Sequence, residues 1–186
     1  MQKPILYYFC GYQSVSHHSP KFKYLERNLN QDYDILPLDY PDSYDPKVCL
    51  PYFLSQINTQ LTFGFMGSSL GGFWALQLGN HFQKLAITLS PCCYPSMFAQ
   101  QFPQQRELFA DFKILENTIL NSDLPRLAFL AKDDEIFDYQ KTMQLLPAST
   151  EIILYEQGKH ILYSKLPQIK NKIQSFLRTQ RVINFD

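Results

Sequence analysis

The sequence predicts an α/β fold, built on a doubly wound and mainly parallel sheet of about six strands. Short apolar runs bounded by turn residues alternate with longer segments that have helical spacing of apolar residues, which is typical of a parallel sheet covered by helices. The chain has 186 residues, of which 45% are hydrophobic and 15% aromatic, enough to form the core of one domain. We therefore expect a single domain that spans residues 1–186.

The predicted strands are short, continuous apolar runs. The first comprises Ile5, Leu6, Tyr7, Tyr8 and Phe9, and a glycine soon follows it. Continuous runs, unlike alternating ones, are typical of strands that are buried on both faces. The same criterion predicts strands at residues 5–9, 35–38, 61–66, 85–89, 127–130 and 152–155.

The predicted helices begin at capping residues and continue with apolar residues on one face. Ser19 and Pro20 provide an N-cap and a first-turn proline for the first helix. In the second helix, Pro51 is expected to bend the helix or to delay its start. Helices are predicted at residues 20–29, 46–60, 70–82, 106–120, 139–146 and 166–178, and residues 180–186 are expected to form a loosely held tail.

One segment interrupts the alternation of strands and helices. Residues 91–123 are rich in Gln and Phe and are too long for an ordinary connection between a strand and a helix. In an enzyme this segment would form a short helical cap over the site. In a protein without catalytic activity it would be an additional surface helix.

The charge of the chain argues against two kinds of partner. Lys and Arg total 17, as do Asp and Glu, so the formal net charge is +0 and the pI is about 6.9. Nucleic-acid binding needs clustered positive charge, so we expect no nucleic-acid partner. Residues 48–83 contain no charged residue, but polar residues interrupt the stretch repeatedly. We expect it in the protein core and not in a membrane, and we predict no transmembrane segment.

The cysteines and histidines show no metal-binding or disulfide pattern. Cys92 and Cys93 are neighbours, and no pair of the four cysteines has C-x-x-C spacing. His17 and His18 are adjacent instead of four residues apart, which favours loop residues over metal ligands. The start of the chain lacks the features of a secretory signal. We expect a cytoplasmic protein that needs no metal and no cofactor, and the sequence does not indicate its oligomeric state.

A G-x-S-x-G motif is formed by the residues from Gly67 to Gly71, with Ser69 at its centre. It follows a predicted strand and precedes a predicted helix, as a nucleophilic serine on a sharp turn requires. Small residues two before and two after the serine let the strand and the helix approach each other without a clash. We predict that Ser69 is a nucleophile.

A histidine and several carboxylates follow the serine in the order that this arrangement requires. Asp134 lies in the loop after the strand at 127–130 and is our candidate for the acid, with Asp133 and Glu135 as neighbouring alternatives. His160 follows the last predicted strand, in a loop that begins at a glycine.

The roles of these residues follow from the chemistry of a serine hydroxyl, which is a poor nucleophile until a base removes its proton. His160 would deprotonate Ser69 and later protonate the leaving group, while Asp134 would orient the imidazole. The oxyanion that forms needs donors already in place, and the backbone N–H groups of Leu70 and Tyr12 are the candidates.

Taken together, these residues resemble the small bacterial esterases of the YqiA/YcfP type, within the α/β-hydrolase superfamily. The resemblance implies a compact α/β-hydrolase fold with a reduced lid, and esterase activity on simple acyl substrates. Such enzymes commonly have a histidine before Gly11, where this chain has Cys10, which we expect to be a small buried residue. The resemblance rests on four parts of the chain. They are residues 9–12 together with 19–21, residues 67–72, residues 132–135 followed by Asp138 and Tyr139, and residues 158–160.

We therefore expect a serine hydrolase that cleaves small acyl esters or thioesters through an acyl-enzyme intermediate. Phe98, Phe102 and Phe109 in the cap segment are candidates for the acyl pocket. Two alternatives stay open on the same fold. One is an acyltransferase, in which an alcohol or thiol replaces water, and the other is an interaction protein without catalytic activity.

Overall fold

The computed structural model describes residues 2–100, 106–118, 120 and 123–185. Its centre is a sheet in which each described strand pairs in parallel with its neighbours, in the order β2-β1-β3-β4-β5-β6. This confirms the expected doubly wound, parallel α/β architecture. The strands are β1 (Ile5–Phe9), β2 (Asp34–Pro37), β3 (Thr62–Ser68), β4 (Leu85–Leu89), β5 (Arg126–Ala131) and β6 (Thr150–Tyr155).

Capping residues define where several helices begin. The side chains of Ser19, Asp45 and Asp138 each accept a hydrogen bond from a backbone N–H in the first turn of the helix that follows. The helices are α1 (Pro20–Leu29), α2 (Pro46–Gln56), α3 (Leu70–Phe82), α4 (Arg106–Ala110), α5 (Lys113–Glu116), α6 (Tyr139–Leu145) and α7 (Leu166–Phe185).

Both faces of the sheet are covered by helices, and β1 shows how the sequence achieves this. Leu6 and Tyr8 point to the core shared with α1 and α7. Ile5, Tyr7 and Phe9 point to the opposite core, shared with α2 and α3. Successive side chains in a strand alternate between the two faces, so a strand between two helical layers must be apolar at every position.

The uncharged stretch at 48–83 contains most of α2 and the whole of β3 and α3. Most side chains of α3 are buried, including Trp74, which is 0% exposed. Burial in the protein core therefore accounts for the absence of charge in β3 and α3, as expected, whereas most residues at 48–60 are exposed. Within the described ranges, no helix combines the length and the apolar content needed to cross a bilayer.

Three helices differ from their predicted extent. α2 ends at Gln56 instead of residue 60, and Pro51 lies inside it without delaying its start. The predicted helix at 106–120 is two short helices, because the chain turns at residues 111–112 and buries Phe112 in the core. α7 continues past residue 178 to Phe185, where a loose tail was expected, and Arg181 in this extension lies over the Tyr33 ring.

The strand order creates a switch point between β1 and β3. Strand β2, which follows β1 in the chain, lies on one side of β1 in the sheet. Strand β3 lies on the other side of β1, and β4 lies next to β3. At such a point the loops after the two strands diverge and leave a crevice at their carboxyl ends, which is where open α/β sheets bind ligands. The loop after β1 and the turn after β3 meet there.

Candidate active site

Ser69 lies on a sharp turn, the elbow (residues 67–72), between β3 and α3. Its backbone has φ 57° and ψ −123°, a region that residues with a Cβ rarely occupy. Such strain persists only where the surroundings over-determine the conformation, and it is typical of functional sites. The turn raises the side chain of Ser69 above the carboxyl edge of the sheet, as the motif predicts.

The glycines of the elbow are required by close backbone contacts. A Cβ on Gly67 would lie 2.0 Å from the carbonyl oxygen of Gly71, and a Cβ on Gly71 would lie 2.1 Å from that of Phe9. Because these neighbours are backbone atoms, neither can move aside without distorting the strand or the helix. Gly11 is close to the serine itself, since its Cβ would lie 3.1 Å from the Cβ of Ser69.

Backbone hydrogen bonds hold the elbow in place. The N–H of Ser69 donates to the carbonyl oxygen of Leu89 at 3.0 Å, and the N–H of Cys92 donates to that of Ser69 at 2.9 Å. The N–H of Gly72 donates to the same Ser69 oxygen, also at 2.9 Å. The segment after β4 is therefore part of the support for the serine.

The imidazole of His160 binds the carboxylate of Asp134. Nδ1 of His160 lies 3.0 Å from Oδ2 and 3.2 Å from Oδ1. Both side chains are largely buried, with 13% of the histidine and 4% of the aspartate exposed. The ring of Phe137 packs edge-on against the imidazole at 4.8 Å between centroids. This pair joins the loop after β5 to the loop after β6.

The two acidic neighbours of Asp134 bind the backbone of the histidine loop. Asp133 accepts hydrogen bonds from the N–H groups of Gly158 and Lys159, both at 2.8 Å. Glu135 accepts from the N–H of His160 at 3.1 Å. The sequence left open which of the three acids meets the imidazole. In the structure Asp134 meets it, while the other two hold the loop that carries the ring.

Asp134 remains ionised at neutral pH. Burial opposes its ionisation, but hydrogen bonds from His160 and from the backbone N–H groups of Phe137 and Ile136 outweigh this and lower the pKa of the carboxyl. A carboxylate can only accept hydrogen bonds, so Nδ1 of His160 must carry a proton. In the neutral ring, Nε2 then has a free lone pair and is able to act as a base.

Ser69 and His160 line the same cleft, which has a volume of about 450 Å³. Residues 10–15, which follow β1, form a second wall, and residues 18–21 at the start of α1 form a third. The structure thus brings the serine and the histidine–aspartate pair to one opening. The remaining lining residues are Tyr8, Ser68, Ile161 and Tyr163.

The two residues predicted to supply oxyanion donors both lie at this site. Leu70 is the first residue of α3 and directly follows Ser69. The first N–H groups of an α-helix have no partner within the helix, so this position suits a donor. Tyr12 lies in the loop after β1 and lines the cleft. Their role in catalysis stays a prediction.

Of the phenylalanines predicted to form the acyl pocket, only Phe109 has a described side chain. It is buried on α4 and packs against the ring of Tyr12, at 5.3 Å between centroids. It therefore lies behind the wall of the cleft and is not among the lining residues. Phe102 and the side chain of Phe98 lie outside the described residues.

A second hollow borders the site, with a volume of about 270 Å³ and a largely apolar lining. Two of its lining residues also contact the site. The N–H of Cys92 donates a hydrogen bond to the carbonyl oxygen of Ser69, and the ring of Phe137 packs against the imidazole of His160. Met97 and Leu145 are among its other apolar residues. We call it the apolar hollow. The sequence did not predict it, because its walls come from separate parts of the chain.

Cys10 is a buried residue, as the sequence analysis expected. It is 1% exposed, and its Sγ lies 3.3 Å from Oγ of Ser16. Burial raises the pKa of the Cys10 thiol, so it remains protonated at neutral pH. The side chain is thus a small core residue beside the cleft.

Lys21 and Ser68 also line the cleft, although neither was predicted from the sequence as a site residue. The Lys21 ammonium donates to Oγ of Ser68 at 2.6 Å, in the wall of the cleft. One signal was present in the sequence. A lysine directly after Ser19-Pro20 puts positive charge in the first turn of a helix, where the helix dipole disfavours it.

The profile of a family described as "Uncharacterised protein family (UPF0227)" matches residues 5–178 of the chain. This confirms the predicted resemblance to the YqiA/YcfP type. A search of curated proteins found no match.

The fold is similar to that of several solved structures. Est1E from Butyrivibrio proteoclasticus, in a structure described as having ferulic acid bound, has a TM-score of 0.78 at 14% identity over 96% of this chain and 90% of that one. XC6422 from Xanthomonas campestris, described as an α/β serine hydrolase without a lid, has a TM-score of 0.64 at 14% identity over 96% and 83%. The ydeN gene product from B. subtilis has a TM-score of 0.65 at 18% identity over 95% and 100%. The chain therefore has the α/β-hydrolase fold.

Proposed function

We propose that this protein, which belongs to the UPF0227 family, is a serine hydrolase that cleaves small acyl esters or thioesters. The observation that carries the proposal is the hydrogen-bonded pair of His160 and Asp134 in the same cleft as the strained Ser69. A fold by itself does not establish an activity, because many α/β folds host unrelated functions. The side chains at the carboxyl edge are what point to acyl transfer.

In the first step, Nε2 of His160 takes the proton of the Ser69 hydroxyl as Oγ attacks the acyl carbon. The imidazolium that forms is stabilised by the Asp134 carboxylate, which lies 3.0 Å from Nδ1. The same imidazolium then gives its proton to the leaving alcohol or thiol, and an acyl-enzyme remains. Water, deprotonated by His160, then attacks the acyl carbon. The bond between this carbon and Oγ of Ser69 breaks, the imidazolium returns its proton to Oγ, and the acid is released.

Charge on the attacked oxygen is stabilised by the backbone N–H groups of Leu70 and Tyr12 in this proposal. Leu70 is at the N-terminal end of α3, where the helix dipole also favours negative charge. Loss of one such donor typically costs about 3 kcal/mol of transition-state stabilisation. The elbow positions Leu70 before any substrate binds, so no reorganisation is needed during the reaction.

The apolar hollow supports a short acyl group as the substrate. Its volume of about 270 Å³ suits a chain of a few carbons or a single ring better than a long lipid. Est1E, a structural neighbour, is described with ferulic acid bound, which is a small carboxylic acid. We propose that the acyl part of the substrate enters beside Cys92 and Phe137.

We further propose that the protein acts in the cytoplasm. The four cysteines are free thiols, and three of them are buried. Disulfides are rare in the reducing cytosol, and free cysteines fit that compartment.

Labelling with a fluorophosphonate probe tests the proposed function. We expect the wild type to form an adduct that maps to Ser69, and the Ser69→Ala variant to form none. Turnover of 4-nitrophenyl butyrate should fall by at least about 10⁴-fold in the same variant. Ser55→Ala is a matched control, because Ser55 is an exposed serine on α2 that is not among the residues lining the cleft. Equal labelling of Ser69→Ala and the wild type would refute the proposal.

A further inference from the structure

Lys21 is a buried cation in the wall of the catalytic cleft. Its side chain comes from the first turn of α1, the residue is 8% exposed, and it lines the cleft together with Ser69 and His160. Burial of an ammonium group is costly unless an anion compensates for the lost hydration. The mechanism above assigns no task to this residue.

The partners of Lys21 do not neutralise its charge. Within the described ranges, the acceptor in hydrogen-bonding distance of Nζ is the neutral hydroxyl of Ser68, at 2.6 Å, and no carboxylate lies within 4 Å of it. An ammonium has three N–H donors, so two of them have no acceptor from these residues. Nζ also lies 6.0 Å from the centroid of the Tyr163 ring, at the limit of a cation–π contact.

The nearby titratable groups leave the positive charge uncompensated. Burial raises the pKa of Tyr8 and of Cys10, so both are neutral at pH 7. Asp134 is ionised, but its carboxylate binds His160. Burial lowers the pKa of Lys21 to about 8, which Cys10 and Asp134 partly oppose, so most of the lysine is still protonated at neutral pH.

We propose that Lys21 binds an anionic group of the substrate, so that the ester or thioester cleaved at Ser69 is one that carries a carboxylate or a phosphate. This inference rests on the proposed function and specifies its substrate class. The anion would accept hydrogen bonds from the two remaining N–H donors of Lys21, which is buried in the wall of the cleft, where a charge-assisted hydrogen bond is strong. A neutral ester would leave the same cation unpaired.

The cleft and the apolar hollow would then bind different parts of the substrate. The cleft of about 450 Å³ contains the lysine, Ser68 and Ser19, whereas the hollow of about 270 Å³ is largely apolar. An ester with one apolar part and one anionic part fits this division. Lys21 is accordingly a specificity-determining residue, and Ser69 and His160 remain the groups that touch the reacting atoms.

Matched ester pairs test the inference. One pair differs on the acyl side, mono-4-nitrophenyl glutarate against 4-nitrophenyl pentanoate. The other differs on the alcohol side, 4-carboxyphenyl butyrate against 4-carbamoylphenyl butyrate. In the wild type we expect kcat/KM for the anionic member of at least one pair to exceed that of its neutral partner by about tenfold. The pair that shows the preference identifies the side of the ester that faces Lys21.

Variants separate a binding role from a structural one. In Lys21→Met the anionic-to-neutral ratio should fall to about one, and Lys21→Arg should retain most of it because the positive charge is kept. Lys23→Met is the matched control, since Lys23 is an exposed lysine on the same helix, and its ratio should equal that of the wild type. A general loss of packing would lower both members of a pair and leave their ratio unchanged.

The possible failures are distinguishable. If the wild type hydrolyses the neutral esters but prefers neither anionic ester, the inference is wrong and the proposed function stands. If the ratio persists in Lys21→Met, the inference is also wrong. If the wild type hydrolyses none of the four esters and resists the fluorophosphonate, the proposed function fails first.

Discussion

The elbow and the histidine loop reach the same cleft by different means. In the elbow, residues 67–72 contain the serine, the small residues and the strained backbone together, and neighbours in the sequence determine most of its shape. In the histidine loop, residues 158–160, the shape depends on carboxylates that lie 25 or 26 residues earlier in the chain. One part of the site is local, and the other is assembled by the tertiary structure.

The two parts are therefore expected to fail in different ways when residues are substituted. A side chain added to Gly67 or Gly71 of the elbow puts atoms into the space of neighbouring backbone and is expected to damage folding. A change in the histidine loop leaves the packing of the sheet intact and is expected to move the imidazole of His160 or to favour its wrong tautomer. Three predictions test this contrast, in order of the size of the expected effect.

The largest effect is expected at the two adjacent aspartates that bind the histidine loop. Asp134→Asn should lower kcat for 4-nitrophenyl butyrate by about 10⁴-fold, because an amide at this position can stabilise the wrong tautomer of His160. Asp133→Asn should lower it by no more than about 10²-fold, the cost of a catalytic group misplaced by about 1 Å. Asp133 binds only the backbone of the loop. Equal losses in the two variants would contradict the assignment of the acid.

The second prediction compares a glycine of the elbow with a glycine of the histidine loop. Gly67→Ala should destabilise the fold by about 3 kcal/mol or more, because its Cβ would lie 2.0 Å from a backbone oxygen. Gly158→Ala should cost about 1 kcal/mol, because the nearest atom is the end of the Leu162 side chain at 2.8 Å. Urea denaturation measures both. Similar losses would show that the elbow is no more constrained than the loop.

The third prediction concerns Lys21, which is joined to the elbow through Ser68. Folding lowers the pKa of Lys21 from 10.5 to about 8, so between these values the unfolded chain binds more protons than the folded one. The free energy of unfolding of the wild type should therefore rise with pH relative to Lys21→Met, by about 3 kcal/mol from pH 7 to pH 11. Lys23→Met, the exposed control, should show no such trend. A flat difference for Lys21→Met would mean that the ammonium is not buried.

Much of the fold follows from sequence patterns because the central strands are apolar at every position. β1 and β4 lie where the sequence predicts them. The segment at 106–120 was less predictable, since Phe112 enters the core at the point where a continuous helix was expected to run. Local propensity is a weak term there, and burial of an aromatic ring outweighs it.

The site was predictable to different degrees in its two parts. Ser69 was identified because the motif and its flanking elements lie next to each other in the sequence. The choice among three consecutive acids was ambiguous, because each is in reach of the histidine loop and the side-chain directions depend on the turn after β5. Lys21 was missed as a site residue because its partner, Ser68, lies 47 residues away.

Sequence patterns were enough to predict the parallel α/β architecture, the position of the serine turn and the order of the candidate serine, acid and histidine. These depend on periodicity, on glycine spacing and on residues close together in the chain, which act over short distances. Three features became visible only in the folded chain: Asp134 binds the imidazole, an apolar hollow lies beside this pair, and Lys21 is a buried cation in the wall of the cleft. Burial and electrostatic pairing are properties of the whole packed chain, because they depend on which distant segments exclude water from a group.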